Sequence, residues 1–291
     1  MFQGLVFAVI SAACFGSMAI LVKLGYAAGM SGPVMMQFRF SFGTLLLFFY
    51  LLAKDRTLLR ISLRDLAKCA FLGMVAYWTQ TTCFVAALET IPASTTALVL
   101  YGHPMVVTLL SGLFLKMPVN RTMLLSLGLV MTGCCLVFYD AFLRAVDPTG
   151  LAYALGAMAT FSVYLILMQV LLKNIRPLKA TFYIMLGAAV SFTLSGDVTA
   201  WMRLDGGQQT AIALALGLIP GVMAVAFLYT AIEKIGSAYA CIFSSVEPII
   251  TLSAAAAFLG EQVVWLQMGG AGLIIFGIVV PNLRRRRPQL A

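Results

Sequence analysis

AALETIPASTTALVLYGHPMVVTLLSGLFL, residues 86–115, is echoed without a gap by TAIEKIGSAYACIFSSVEPIITLSAAAAFLG, which begins at residue 230. The offset of 144 carries Glu89 onto Glu233, Pro104 onto Pro248 and His103 onto Glu247. The same register takes Gly73 to Gly217, Gly128 to Gly272 and Gly133 to Gly277, so it spans most of each half. Periodicity on this scale marks a tandem duplication and governs how every local motif is read. Further upstream, GLVFAVISAACFGSMAIL at 4–21 matches GLAYALGAMATFSVYLIL at 150–167, with Phe15 on Phe161. The first apolar segment is therefore expected to be a retained, duplicated helix and not a cleaved signal peptide, for which it also lacks a basic leader.

Of 291 residues, 62% are hydrophobic and 10% charged, a balance outside that of soluble globular domains. A bilayer core about 30 Å thick is crossed by about 20 apolar residues in a helix. Ten such segments are predicted, at 3–22, 33–53, 66–88, 92–115, 122–139, 149–172, 178–195, 208–232, 236–259 and 263–281. The expected fold is an all-α integral membrane protein of ten transmembrane helices, with no soluble domain. Its units are a first five-helix repeat at 1–143, a second at 144–281 and a basic tail at 282–291. The six cysteines, Cys14, Cys69, Cys83, Cys134, Cys135 and Cys241, lie within or beside the apolar segments without ligand spacing. They read as small buried residues, and neither a metal nor a cofactor is expected.

The net charge of +9 suggests nucleic acid until its positions are assigned to alternate connections. One side receives Lys54, Arg56, Arg60, Arg64, Lys68, Lys116, Arg121, Lys173, Arg176, Lys179, Lys234 and Arg284 to Arg287; the other receives Lys23, Arg144 and Arg203. Basic connections stay in the cytoplasm. Both termini are therefore predicted to be cytoplasmic, the terminal arginines to anchor the last helix, and no nucleic-acid partner is expected. An odd number of helices per repeat makes the second copy enter the membrane from the opposite face. The two five-helix repeats are then inverted, an arrangement used by secondary transporters, whose substrate sites lie near the midplane.

The prolines of the fourth and ninth segments and the string SSVEPIITLSAAAAFLGEQVVWLQMGGAGLIIFGIVV at 244–280 resemble the EamA-type members of the drug/metabolite transporter (DMT) superfamily. Pro248, Gly260, Glu261, Gly269, Gly272 and Gly277 carry the resemblance, and Arg39 in QFRFSFGTLL matches an arginine common early in the second helix of such proteins. The first half departs from the pattern, with Lys116, Met117 and Pro118 where Gly-Glu is expected. The resemblance implies export or exchange of amino acids and other small metabolites across a bacterial inner membrane, with the lipid bilayer and a small-molecule substrate as partners.

Several residues carry the expected site. Pro104 and Pro248 each delete a helical hydrogen bond, giving either a packing kink or a hinge beside a cavity. Helical rise puts His103 and Glu247 about 16 Å deep, where an ionisable group is costly. Glu247 could bind a proton or a substrate ammonium with His103 as its partner, or the two could fasten the halves as a neutral pair. Arg39, about 9 Å inside its helix, could grip a carboxylate, pair with backbone carbonyls or snorkel outward. Tyr77, Trp78, Gln80, Tyr101, Tyr164, Tyr229 and Tyr239, with Gln169, are expected to face the cavity. Glu89 and Glu233 are expected to cap the next helix or to form gate contacts, and Glu261 to complement a helix N-terminus.

The small residues Gly4, Ala8, Ala12 and Gly16, and the paired glycines Gly128, Gly133, Gly272 and Gly277, read as close-packing surfaces or as the contact of a homodimer. With one histidine in the chain and no HExxH, GxSxG or paired-cysteine motif, the sequence offers no catalytic centre. The leading reading is a secondary transporter exporting or exchanging amino acids or another small metabolite by alternating access, not an enzyme. A lipophilic-cation or multidrug exporter of the same fold is the alternative, and a membrane sensor or intramembrane enzyme is the alternative outside transport. A phosphorylated substrate would need several basic groups at depth, and Arg39 alone is there.

Overall fold

The computed structural model describes residues 2–91, 93–139, 143, 146–196, 199, 207–259 and 263–285. Arg144, Arg203, Gly260, Glu261, Arg286 and Arg287, used in the sequence reading, lie outside the described residues. Among the described residues the chain is helical and contains no strand. Among the described residues, and apart from a short 3-10 turn at Arg56–Leu59, the longer helical stretches are α1 (Phe2–Ala27), α2 (Gly32–Lys54), α3 (Leu63–Thr90), α4 (Ala93–Leu100 and His103–Phe114), α5 (Arg121–Val137), α6 (Pro148–Leu171), α7 (Pro177–Ser195), α8 (Gln208–Ile235), α9 (Ser237–Ser244 and Glu247–Leu259) and α10 (Trp265–Arg285). Eight of them, all but α5 and α10, are long and apolar enough to cross a membrane.

Their ends follow local chemistry. Pro33, Pro148 and Pro177 stand in the first helical turn, where a missing N–H costs nothing. Asn120 caps α5 by accepting from Met123 N–H at 2.8 Å, and Asp147 caps α6 through Gly150 N–H at 2.9 Å. Between α2 and α3, in a 3-10 turn at Arg56–Leu59, Thr57 donates from its hydroxyl and its backbone N–H to Asp55, which holds that carboxyl below the usual carboxylate range.

Packing between residues 2–139 and 146–285 obeys an exchange rule. Adding five to the helix number, and subtracting five in the second half, turns the α3–α6 contact into α8–α1 and the α3–α7 contact into α8–α2. The α2–α7, α4–α9 and α5–α10 contacts map onto themselves. Both α3 and α8 widen into a π-helical turn, at Phe71–Tyr77 and Gly217–Met223. At each, a glycine lets backbones meet. A Cβ on Gly73 would lie 2.2 Å from the Ile184 carbonyl oxygen of α7, and one on Gly217 would lie 2.7 Å from the Gly43 nitrogen of α2.

The small-residue stripe of α1 is spent inside the chain. Ala8 and Ala12 are fully buried, Gly4 meets Ile235, and Gly16 meets Ile250 and Thr251. The paired glycines of α5 and α10 divide in two. Gly133 packs against Gly270 and Ile274, and Gly277 against Val130 and Ser126, whose hydroxyl donates to the Gly277 carbonyl at 2.5 Å. Gly128 and Gly272, expected on the same packing surface, have open space where a side chain would stand.

Candidate functional site

The interruptions of α4 and α9 fall at matching places. Tyr101–Gly102 and Ser245–Val246 form turns, and helix resumes at His103 and Glu247 with a proline second. Met105 N–H bonds to the Gly102 carbonyl at 3.1 Å, and its counterpart Ile249 N–H bonds to Val246 at 3.0 Å. Each proline therefore stands in the first turn of a new helical segment that follows a tight turn.

His103 and Glu247 are not each other's partner. By the helical rule Pro104 would donate to the Leu100 carbonyl, but proline has no N–H to give. His103 Nδ1 stands 2.9 Å from that oxygen, and a carbonyl only accepts, so the ring carries its proton on Nδ1. The ring is otherwise buried, edge-on to Phe161 with centroids 5.0 Å apart. Glu247 instead faces the Tyr101 hydroxyl, which also reaches Thr251. The turn at 101–102 sets Tyr101, and not His103, against Glu247.

This arrangement makes a double-mutant cycle informative. His103→Ala should lower stability by about 1–3 kcal/mol, the usual cost of orphaning a buried polar group. In a Pro104→Ala background the restored N–H serves Leu100, and most of that loss should vanish. Equal losses in both backgrounds, read from thermal midpoints in detergent, would show that His103 does not act through this carbonyl.

Arg39 is 3% exposed and is held by backbone. Its Nη2 donates to the Pro220 carbonyl of α8 at 2.7 Å and to the Tyr77 hydroxyl at 3.2 Å. The guanidinium lies 5.1 Å from the Phe40 ring centroid and 5.9 Å from that of Phe15, close enough for cation–π attraction. Its Nε has no hydrogen-bond partner, and Glu247 lies within reach of its charge. Of the three roles open to Arg39 in the sequence, the structure displays carbonyl pairing.

Around Arg39 the predicted tyrosines assemble. Tyr77 stacks on Tyr164 at 5.1 Å, the Tyr164 and Tyr229 hydroxyls hydrogen-bond, and Tyr164 stacks on Phe161, which carries the column to His103. Arg39, Tyr77 and His103 come from the first half, Phe161, Tyr164, Tyr229 and Pro220 from the second. The column thus fills the seam between the halves, and its three tyrosines are nearly inaccessible.

Three expected residues lie elsewhere. Trp78 points to the periphery, donating its indole N–H to Ser195 at 3.2 Å. Gln80 is buried but accepts from its neighbour Thr81 at 3.3 Å, and Tyr239 is buried against Phe243. Pro220 is an unechoed proline inside a hydrophobic helix, and Phe161 stands out in the sequence only by its alignment with Phe15, so neither signals a site before the helices are packed.

A cavity of about 470 Å³ lies between α6, α7 and α8, with Leu115, the residue that follows α4, on one wall. It opens among Lys173, Glu233 and Gly236, near connections that the charge count places on the basic side, and it reaches inward to Tyr229. Of the predicted tyrosines, Tyr229 alone lines it. Gln169, also in its wall, accepts from Ser237 N–H at 2.6 Å, beside Gly236 with its left-handed φ of 80°. All six cysteines are free, and among the described residues no cluster of His, Cys, Asp or Glu could hold a metal.

The EamA-like transporter family model matches this chain twice, over residues 2–139 and 148–283. The uncharacterized transporter YcbK of Bacillus subtilis is 22% identical over 97% of this chain and 93% of its own length. YwfM of the same organism, also described as an uncharacterized transporter, is 24% identical over 72% of this chain and 70% of its own. An uncharacterized transporter of Archaeoglobus fulgidus is 25% identical over 78% of the chain and 76% of its own length. A solved crystal structure described only as that of a protein has a TM-score of 0.82 at 15% identity, covering 99% of both chains, a likeness of fold. With two family matches that together take in nearly every residue and a succession of apolar helices, this multi-pass membrane protein belongs to the EamA-like transporter family.

Proposed function

We propose that the chain is a secondary transporter that exports or exchanges a small metabolite, amino acids first, by alternating access across a bacterial inner membrane. In this reading it crosses the membrane ten times as two inverted five-helix repeats, 1–143 and 144–281, with both termini and the tail at 282–291 in the cytoplasm. The observation that carries it is the exchange rule in the packing. Two halves that meet through equivalent contacts, with Gly73 on Ile184 and Gly217 on Gly43, can trade conformations about a shared seam. The buried Arg39–tyrosine column supplies what separates the two sides at that seam. Counterflow of labelled amino acids into preloaded proteoliposomes tests the reading, and failure with every metabolite pool would remove it.

Glu247 is the group proposed to carry a coupling proton, since it is an ionisable group in the interior of an apolar segment, at the start of the second part of α9, with the Tyr101 hydroxyl as its partner and the Arg39 charge near it. Glu247→Gln should abolish uptake driven by a pH gradient while leaving substrate exchange within about twofold of wild type. An unaltered pH dependence in the variant rejects the role. The second reading, export of a lipophilic cation, draws on Glu247 beside Tyr101 and the aromatic column. A quaternary dye that outcompetes amino acids in the same vesicles would favour it.

A further inference from the structure

The cavity between α6, α7 and α8 presents two opposite charges that do not neutralise each other. Lys173 and Glu233 both line it, and neither has an ion-pair or hydrogen-bond partner among the described residues. Three further charged groups near that face are engaged elsewhere, Lys179 donating to the Arg60 carbonyl at 2.8 Å, Arg176 lying 3.8 Å from Asp55 and Lys234 reaching Gln3 at 3.3 Å, while Lys116 follows Leu115 at the exposed rim. Between Lys173 and Glu233 the wall is largely aliphatic, with Leu115, Met168 and Ile232 among its members. The floor, Tyr229, belongs to the column that seals the seam.

We infer that this cavity is a selectivity vestibule for zwitterions with an apolar body, in which Lys173 takes the carboxylate, Glu233 takes the ammonium and the aliphatic wall takes the side chain. The inference rests on the transport reading for its purpose but on the cavity for its chemistry. At about 470 Å³ the space falls in the range of small-ligand sites and exceeds the volume of a free amino acid. A molecule with both charges leaves neither Lys173 nor Glu233 unpaired, whereas an amine or an acid alone satisfies one and brings its own charge near a like one. Selection of zwitterions against simple anions and cations follows from that pairing. The residue pair differs from the Glu247 level, which lies at the break in α9. A substrate from the basic side meets Lys173 and Glu233 first, and Tyr229 stands between it and the seam.

The test uses the full chain, purified in detergent and reconstituted. Thermal midpoints are measured with L-leucine, L-methionine, L-threonine and L-phenylalanine, and with isopentylamine and 4-methylpentanoate, which are leucine without its carboxylate and without its ammonium. Wild type should be stabilised by at least one zwitterion at a concentration where neither analogue acts. Lys173→Gln should weaken apparent leucine affinity by about tenfold and bring it level with isopentylamine, and Glu233→Gln should bring it level with 4-methylpentanoate. Lys173→Arg keeps the charge and should keep the discrimination. Both side chains are exposed, so the variants should fold as wild type does. No stabilisation by any zwitterion, or discrimination unchanged in both neutral variants, overturns the vestibule. Amino-acid counterflow that persists unaltered in the double variant also overturns it while leaving transport standing. Zwitterion binding without any counterflow supports the vestibule and removes the transport reading.

Discussion

Gly73→Ala and Gly217→Ala are expected to cost the protein its folded state in detergent, whereas Gly128→Ala and Gly272→Ala are expected to leave it intact. All four glycines sit in apolar helices and occur as pairs 144 residues apart, so composition does not distinguish them. Space does. A Cβ at position 73 would stand 2.2 Å from the Ile184 carbonyl oxygen and 3.1 Å from the Ala188 nitrogen, and one at position 217 would stand 2.7 Å from the Gly43 nitrogen. Those are backbone atoms and cannot rotate away, so α3 must part from α7, or α8 from α2. Overpacking against movable side chains costs about 1–3 kcal/mol, and separating whole helices exceeds that. Against a total stability of about 5–15 kcal/mol the loss is large. Gly128 and Gly272 have nothing within 4 Å, and there alanine gains helix propensity of up to about 1 kcal/mol. Monodispersity on size exclusion and the thermal midpoint decide it. A Gly73→Ala protein that melts with wild type would mean that the helices are not in contact at these turns.

Much of this architecture was legible because duplication compares the chain with itself. The 144-residue offset located the interruptions of α4 and α9, the matched prolines and the glycines where α3 and α8 cross their neighbours. Hydropathy located the helices, and the scarcity of deep charge singled out Arg39 and Glu247. What the offset could not supply is direction around a helix. Residues 101 and 103 differ in depth by about 3 Å but point about 160° apart on a regular helix, and the turn between them alters that angle again. The expectation that His103 would meet Glu247 failed on this point, and Tyr101 occupies the place. The π-helical turns at Phe71–Tyr77 and Gly217–Met223 have the same effect, since an added residue rotates everything beyond it. Tyr77 ends on the Arg39 column while its neighbour Trp78 ends at the periphery. Lys173 and Glu233 were legible as members of a charge count and a helix end, but the cavity they share exists only once α6, α7 and α8 are packed.

Arg39→Met is expected to separate stability from transport. Removing the guanidinium leaves the Pro220 carbonyl and the Tyr77 hydroxyl without their donor, a loss of about 1–3 kcal/mol for each buried group. In the other direction, a buried cation without an ion-paired carboxylate carries a desolvation penalty of several kcal/mol, which an apolar side chain of similar length avoids. The two terms are of the same size and opposite sign, so the thermal midpoint should move by only a few degrees. Transport has no such compensation. Arg39 joins α2 to α8 across the seam, and its charge is felt by Glu247 at the level proposed for substrate or proton binding. Counterflow should therefore fall by about tenfold or more, the equivalent of at least one lost charged hydrogen bond in the rate-limiting state. Arg39→Lys should fare little better, because an ammonium cannot span Pro220 and Tyr77 while lying flat against Phe40 and Phe15. If the midpoint collapses together with counterflow, Arg39 is a structural strut; if counterflow survives Arg39→Met, the cation has no part in transport. Only a stable protein that has lost counterflow keeps Arg39 in the mechanism.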